Sequence, residues 1–153
     1  MSTTPARYET IQGMHLAGFN VSYAFQNMND IPEQWDRLQP YIDTTPNQVG
    51  QRAYGVCHGM HAQGFDYFAG IAVSKTSDLP KALTPLHVPA GTYAVFLHLG
   101  PISAIRDTID AAWSWSKSSG QQDMTRALHL EVYLEDWAPG KDGGVEVWMP
   151  VKS

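Results

Sequence analysis

The sequence predicts an α+β protein: duplicated strand–helix–strand–strand units forming an antiparallel sheet, with two helices on one face and a ligand groove at the pseudo-two-fold seam between the units. Three observations point there. Two apolar stripes recur at helical spacing, one through Ile31, Trp35, Leu38 and Ile42 and one through Ile102, Ile105, Ile109, Ala112, Trp113 and Ser116. Segments of strand character flank both, and Leu128 to Trp137 alternates strictly. The order strand, helix, strand, strand then occurs twice, and the helices carry related pieces, Glu33-Gln34-Trp35-Asp36 and Ala112-Trp113-Ser114-Trp115.

In chain order, residues 8–25 alternate loosely and read as one strand. Asp30-Ile31-Pro32-Glu33 then starts a helix, with Asp30 as the cap, Pro32 in the tolerant first turn and Glu33 at the reciprocal capping position. Pro40 ends or kinks that helix, because a proline inside a helix removes a hydrogen bond and clashes with the preceding turn. Residues 52–58 and 65–73 read as paired strands joined by His58 to Gly64. The next strand runs over 87–99, with a kink at Pro89-Ala90-Gly91 and a stop at Gly100-Pro101. The second helix ends at Gly120. The alternating strand at 128–137 follows, then a turn at Lys141 to Gly144 and a last strand at Val145 to Val151. The 153 residues suit one domain, with half-units at about 5–80 and 81–153.

Composition narrows the function. Net charge is −5 and the ten Lys and Arg residues are scattered, so no basic patch offers itself to a nucleic-acid backbone. Cys57 is the single cysteine, which rules out an internal disulfide framework and fits a reducing compartment. Met1 to Pro5 lacks the charged and apolar regions of a secretory leader, and no apolar run nears the roughly 20 residues of a membrane helix, so the expected location is the cytoplasm. Cys57 and His58 are strand neighbours facing opposite ways, which excludes a thiol–base pair. His58 and His61 have no matching ligands elsewhere, and no phosphate-binding glycine loop occurs, so neither metal nor cofactor is expected.

The chemistry-bearing feature is the strand at 128–137. Leu128, Leu130, Val132 and Leu134 take one face; His129, Glu131, Tyr133 and Glu135 take the other. Glu131 thus sits mid-strand beside Tyr133, in a chain with only 16% charged residues and abundant rings, among them Trp35, Tyr54, Tyr67, Phe68, Trp113 and Trp115. An acid on a polar strand face is ordinarily a solvated surface group. In a crevice, desolvation instead favours its neutral form unless a positive partner restores the charge. No Lys or Arg lies two residues away on the strand, so an incoming organic cation is the natural partner, with ring faces adding about 0.5–2 kcal/mol of cation–π attraction each. Charge plus flat rings makes a permissive site for lipophilic cations. Trp113 and Trp115 lie about 200° apart around a helix, so both cannot face one core.

Tyr54-Gly55-Val56, Phe65-Asp66-Tyr67-Phe68-Ala69-Gly70, Val88-Pro89-Ala90-Gly91-Thr92-Tyr93-Ala94-Val95-Phe96, Trp113 to Gly120, Leu130-Glu131-Val132-Tyr133 and Val147 to Val151, in this order, resemble the gyrase-inhibitor-like (GyrI-like) effector-binding domains of BmrR-type and AraC/Rob-type regulators. The chain is similar above all to stand-alone cationic-drug-binding proteins of integron cassettes. The resemblance implies the duplicated fold with a groove, a pocket glutamate at Glu131, and walls at Tyr54, Tyr67, Trp113 and Tyr133; Trp35, Phe68 and Trp115 are further candidates. It implies small amphipathic organic cations as ligands. As macromolecular partners it leaves open a transcription regulator, another protein or a second copy of the chain. Direct DNA reading is not expected, because the regulators' N-terminal helix-turn-helix has no counterpart here. Two alternatives remain. Some relatives resemble hydrolases of strained electrophiles, in which Glu131 would be the general base, though no second obvious acid is present. A gyrase-inhibitor-like role would instead use the acidic surface on a basic protein.

Overall fold

The computed structural model describes residues 4–152; the start of the leader reading, Met1 to Thr3, lies outside them. Where the sequence predicts one strand over 8–25, the chain forms two, β1 (Arg7–Ile11) and β2 (Met14–Ala24). The region expected as a single kinked strand at 87–99 likewise splits, into β5 (Thr84–Val88) and β6 (Gly91–His98). The alternation was legible, but the breaks fall at short links where the chain changes partners. Gly13 (φ 106°) and Gly91 (φ 141°) stand at these links, in backbone conformations that side chains disfavour. The remaining elements are α1 (Ile31–Leu38), β3 (Gln48–His58), β4 (Gly64–Val73), α2 (Ile105–Ser118), β7 (His129–Tyr133) and β8 (Val145–Val151). No helix among the described residues is long and apolar enough to cross a membrane.

All eight strands form one antiparallel sheet in the order β1-β6-β8-β7-β3-β4-β2-β5. Exchanging β1 with β5, β2 with β6, β3 with β7 and β4 with β8 turns this order into its own reverse. The middle of the sheet is therefore the β7–β3 pair, where Glu131 lies opposite Gly55 and His129 opposite Cys57.

Alternation sends side chains to two faces. On the helix-free face, Leu16, Tyr54, Val56, Phe68, Val88, Tyr93, Val95, Leu130, Val132 and Trp148 form one buried cluster. Its members come from the middle and from both ends of the sheet, so the sheet curls around it. On the other face, α2 packs Ile109 and Ala112 against Ala94, Phe96, Val147 and Met149, and α1 packs Leu38 against Tyr67, Ala69 and Cys57. Gln34 pins α1 to the sheet: it accepts from the Tyr23 hydroxyl at 2.7 Å and donates to the Phe19 and Tyr67 carbonyls at 2.7 and 2.8 Å. This buried amide is fully hydrogen-bonded, which offsets its desolvation.

Two sequence details differ. Asp30 makes no side-chain cap bond, because a 3-10 turn over Phe25–Asp30 runs straight into α1 and leaves it in a helical conformation. The helix stops at Leu38, and Pro40 sits in a following 3-10 turn (Gln39–Tyr41), so Ile42 lies beyond the helical stripe.

Candidate functional site

The two helices stand over opposite halves of one sheet face and leave a cleft of about 960 Å³ between them. Its floor is the central strand pair. Ala53 and Cys57 line it from β3, and His129, Glu131 and Tyr133 from β7. The side chains of β3 are small there, so the floor is open and the β7 residues carry the chemistry. Trp35 of α1 and Trp113 of α2 form facing walls, and Trp137 and Phe65 add further rings.

Glu131 is 7% exposed. Its Oε1 accepts from the Tyr67 hydroxyl at 2.7 Å and from the Tyr133 hydroxyl at 2.9 Å. Trp35 Nε1 donates in turn to the Tyr67 oxygen at 3.2 Å, so a wall ring is wired to the carboxylate. Tyr67 reaches Glu131 across Gly55. A β-carbon at that position would collide with the Tyr67 hydroxyl and stand 2.9 Å from Glu131 Oε1. Oε2 makes no hydrogen bond among the described residues. The rings meet edge to face: Trp35 to Tyr133 at 5.0 Å and Trp137 to Tyr133 at 5.2 Å between centroids.

The electrostatics depend on what is not beside Glu131. Burial raises its pKa, and the two tyrosine hydrogen bonds only partly oppose that. Burial and the adjacent carboxylate push Tyr67 and Tyr133 well above the usual phenol range, so both remain donors. No Lys, Arg or His stands within ion-pair distance of Glu131 among the described residues. The other buried glutamate is the contrast. Glu146, 4% exposed and on the opposite face, takes a bidentate clasp from Arg7 at 2.8 and 2.9 Å and a bond from Trp148 Nε1 at 3.0 Å. Despite the opposing effect of burial, these partners hold its pKa below the usual value. Cations that do line the cleft are engaged elsewhere: Arg52 meets Glu135 at 3.0 Å, and Arg106 meets Asp110 at 3.6 Å.

A floor of buried acid and hydroxyls under aromatic walls fits a pocket for small molecules, and a family model described as the GyrI-like small molecule binding domain matches residues 4–152. The chain belongs to the GyrI-like family. Transcriptional regulator BrlR of Pseudomonas aeruginosa is 34% identical over 124 residues, which are 79% of this chain and 46% of BrlR. The GyrI-like chain thus spans about half the length of that relative. Two solved structures share the fold. SAV2435 bound to tetraphenylphosphonium superposes with a TM-score of 0.77 at 17% identity, over 96% of this chain and 93% of that one. Integron cassette protein VCH_CASS2, from the mobile metagenome of Vibrio cholerae, gives 0.67 at 17% identity, over 99% and 98%.

Of the residues singled out in the sequence, Glu131, Tyr133, Tyr67, Trp35 and Trp113 lie together at this GyrI-like cleft. Three do not, which corrects the expected wall. Tyr54 and Phe68 are buried in the cluster on the helix-free face, because each has the opposite strand parity to Gly55 and Tyr67. Trp115 lies outside the cleft and packs edge-on against Phe96 at 5.4 Å, with Tyr8 at 6.4 Å beyond; contrary to the expectation from helical spacing, it and Trp113 both pack against the one cluster beneath α2. Cleft residues not anticipated there include Cys57, Phe65, His129 and Trp137, and Gly55 leaves the space beside Glu131 that Tyr67 occupies. The small residues alternating at 53, 55 and 57 are the signal that marks the open floor. Burial raises the Cys57 thiol to about 12, which keeps it protonated.

Proposed function

We propose that this GyrI-like domain binds amphipathic, lipophilic organic cations, with Glu131 as the counter-charge and Trp35, Trp113, Tyr67 and Tyr133 as the surrounding rings. One observation carries the reading: Glu131 is buried with hydroxyl partners but without a cation among the described residues, whereas Glu146 in the same fold has Arg7. A bound cation supplies the missing charge where water is scarce, so the pair interaction is stronger than in bulk solvent. The tetraphenylphosphonium in SAV2435 supports the ligand class. The regulator relative supports a role in ligand-dependent transcription control, exercised with a partner or as part of a larger assembly.

The test is fluorescence titration with tetraphenylphosphonium and with neutral triphenylphosphine oxide, in wild type and Glu131→Gln. Trp35, Trp113 and Trp137 line the cleft and serve as reporters. Wild type should prefer the cation, and the variant should lose about 10–100-fold in cation affinity, the range of one charge-assisted contact. Equal affinity for both compounds, or an unchanged variant, would refute the proposal.

A further inference from the structure

We infer that His129 is a second recognition point in the cleft and that the preferred ligands are aromatic cations carrying a hydrogen-bond acceptor one ring away from the charge. This rests on the cation reading above and narrows it.

Trp113 brings to the cleft a group that can only donate. Trp113 Nε1 lies 3.1 Å from His129 Nδ1, and an indole nitrogen has a hydrogen but no lone pair to offer. Nδ1 must therefore accept, and in a neutral ring the proton resides on Nε2. The ring is neutral: burial, with the charge of Arg106 added, lowers its pKa to about 4. Nε2 has no hydrogen-bond partner among the described residues, and it is not sealed off as the one enclosed, unpartnered side-chain nitrogen, Arg126 Nη1, is. His129 lines the cleft. Trp113 meets it edge to face at 5.8 Å and 82°, which fixes the ring's direction as well as its tautomer.

Glu131 lies two positions further along β7 on the same face. Two residues along a strand span about 7 Å. The floor thus presents a carboxylate and, one ring-length away, an oriented N–H. A tetraaryl cation engages only the first. A cation bearing a carbonyl or ether oxygen on one ring engages both, and it supplies an acceptor to a donor that has none among the described residues.

The experiment uses two phosphonium salts of equal charge and nearly equal shape, (4-acetylphenyl)triphenylphosphonium and (4-isopropylphenyl)triphenylphosphonium, titrated against the full chain. Wild type should bind the acetyl compound about 3–10-fold more tightly, the value of one neutral hydrogen bond. In His129→Phe the ratio of acetyl to isopropyl affinity should fall to about one, whatever common change the substitution makes to both affinities. Nitrogen-15 NMR of the wild-type imidazole should report the Nε2–H tautomer and a shift on binding the acetyl compound alone. Equal affinities in wild type, a preference that survives in His129→Phe, or an Nδ1–H tautomer would overturn the inference. If both salts bind equally and Glu131→Gln weakens both, only the role of His129 falls. If neither salt binds wild type, the cation reading falls with it.

Discussion

Tyr67 and Glu131 are 64 positions apart in the chain and 2.7 Å apart in space, and the bond between them passes over Gly55. The missing side chain is therefore part of the site. Gly55→Ala should force Tyr67 off the carboxylate. Overfilling such a position costs about 1–3 kcal/mol, measurable by urea denaturation, and cation affinity should fall in the same variant. A variant with unchanged stability and affinity would show that the tyrosine bond does not depend on this space.

Glu131 should reduce stability at neutral pH. Its folded pKa is raised by burial, so the folded form holds the proton more tightly than the unfolded form. Stability from that proton is full below the unfolded value and is lost as pH rises through the folded one. Glutamine keeps an acceptor for the two hydroxyls without the charge. Glu131→Gln should therefore melt higher than wild type at pH 7.5, with the difference shrinking toward pH 4. A lower melting temperature for the variant across that range would contradict the uncompensated-charge reading.

If Glu131 is the counter-charge as proposed, the same shift sets the pH dependence of binding. A cation pairs with the ionised carboxylate, so affinity should climb as pH rises toward and through the raised pKa, then level off. Titration with tetraphenylphosphonium from pH 5 to 8 checks this, and Glu131→Gln should give a flat profile. His129, already neutral in this range, should contribute no step.

How much of this was readable in the sequence follows from what alternation encodes. Parity along one strand put His129, Glu131 and Tyr133 on a common face; helical spacing did less well, since Trp113 and Trp115 both reach the one cluster beneath α2 although only Trp113 lines the cleft. Parity also forbids Tyr67 and its neighbour Phe68 from sharing a face, so that pair could not both be walls. What parity cannot give is the relation between strands. Tyr54 falls on the buried face because Gly55 is paired with Glu131, and that register is settled by the whole sheet. The breaks near Gly13 and Gly91 were hidden for a related reason: each link, Gln12-Gly13 and Pro89-Ala90, is only two residues long, and the change of strand partners across it is not written in the alternation.

Arg7 tests the contrast between the two glutamates. Arg7→Ala should leave Glu146 buried and unpaired, costing about 2 kcal/mol, between the values of an exposed and a fully buried pair. Because pairing lowers the Glu146 pKa, the contribution of this pair is present above the carboxyl's unfolded value and fades as pH falls through the folded one. Denaturation at pH 7 and pH 3 should show a large and then a small effect. Cation affinity should be unchanged, since this pair lies on the other face of the sheet.

The most direct measurement is a crystal structure of the chain with tetraphenylphosphonium. The phosphonium should sit in the cleft over Glu131, on the side of Oε2, with its phenyl groups against Trp35, Trp113 and Tyr133. A cation lodged away from that carboxylate, or one held by Asp36 or Asp110 at the rim with Glu131 untouched, would contradict the assignment of Glu131 as the counter-charge.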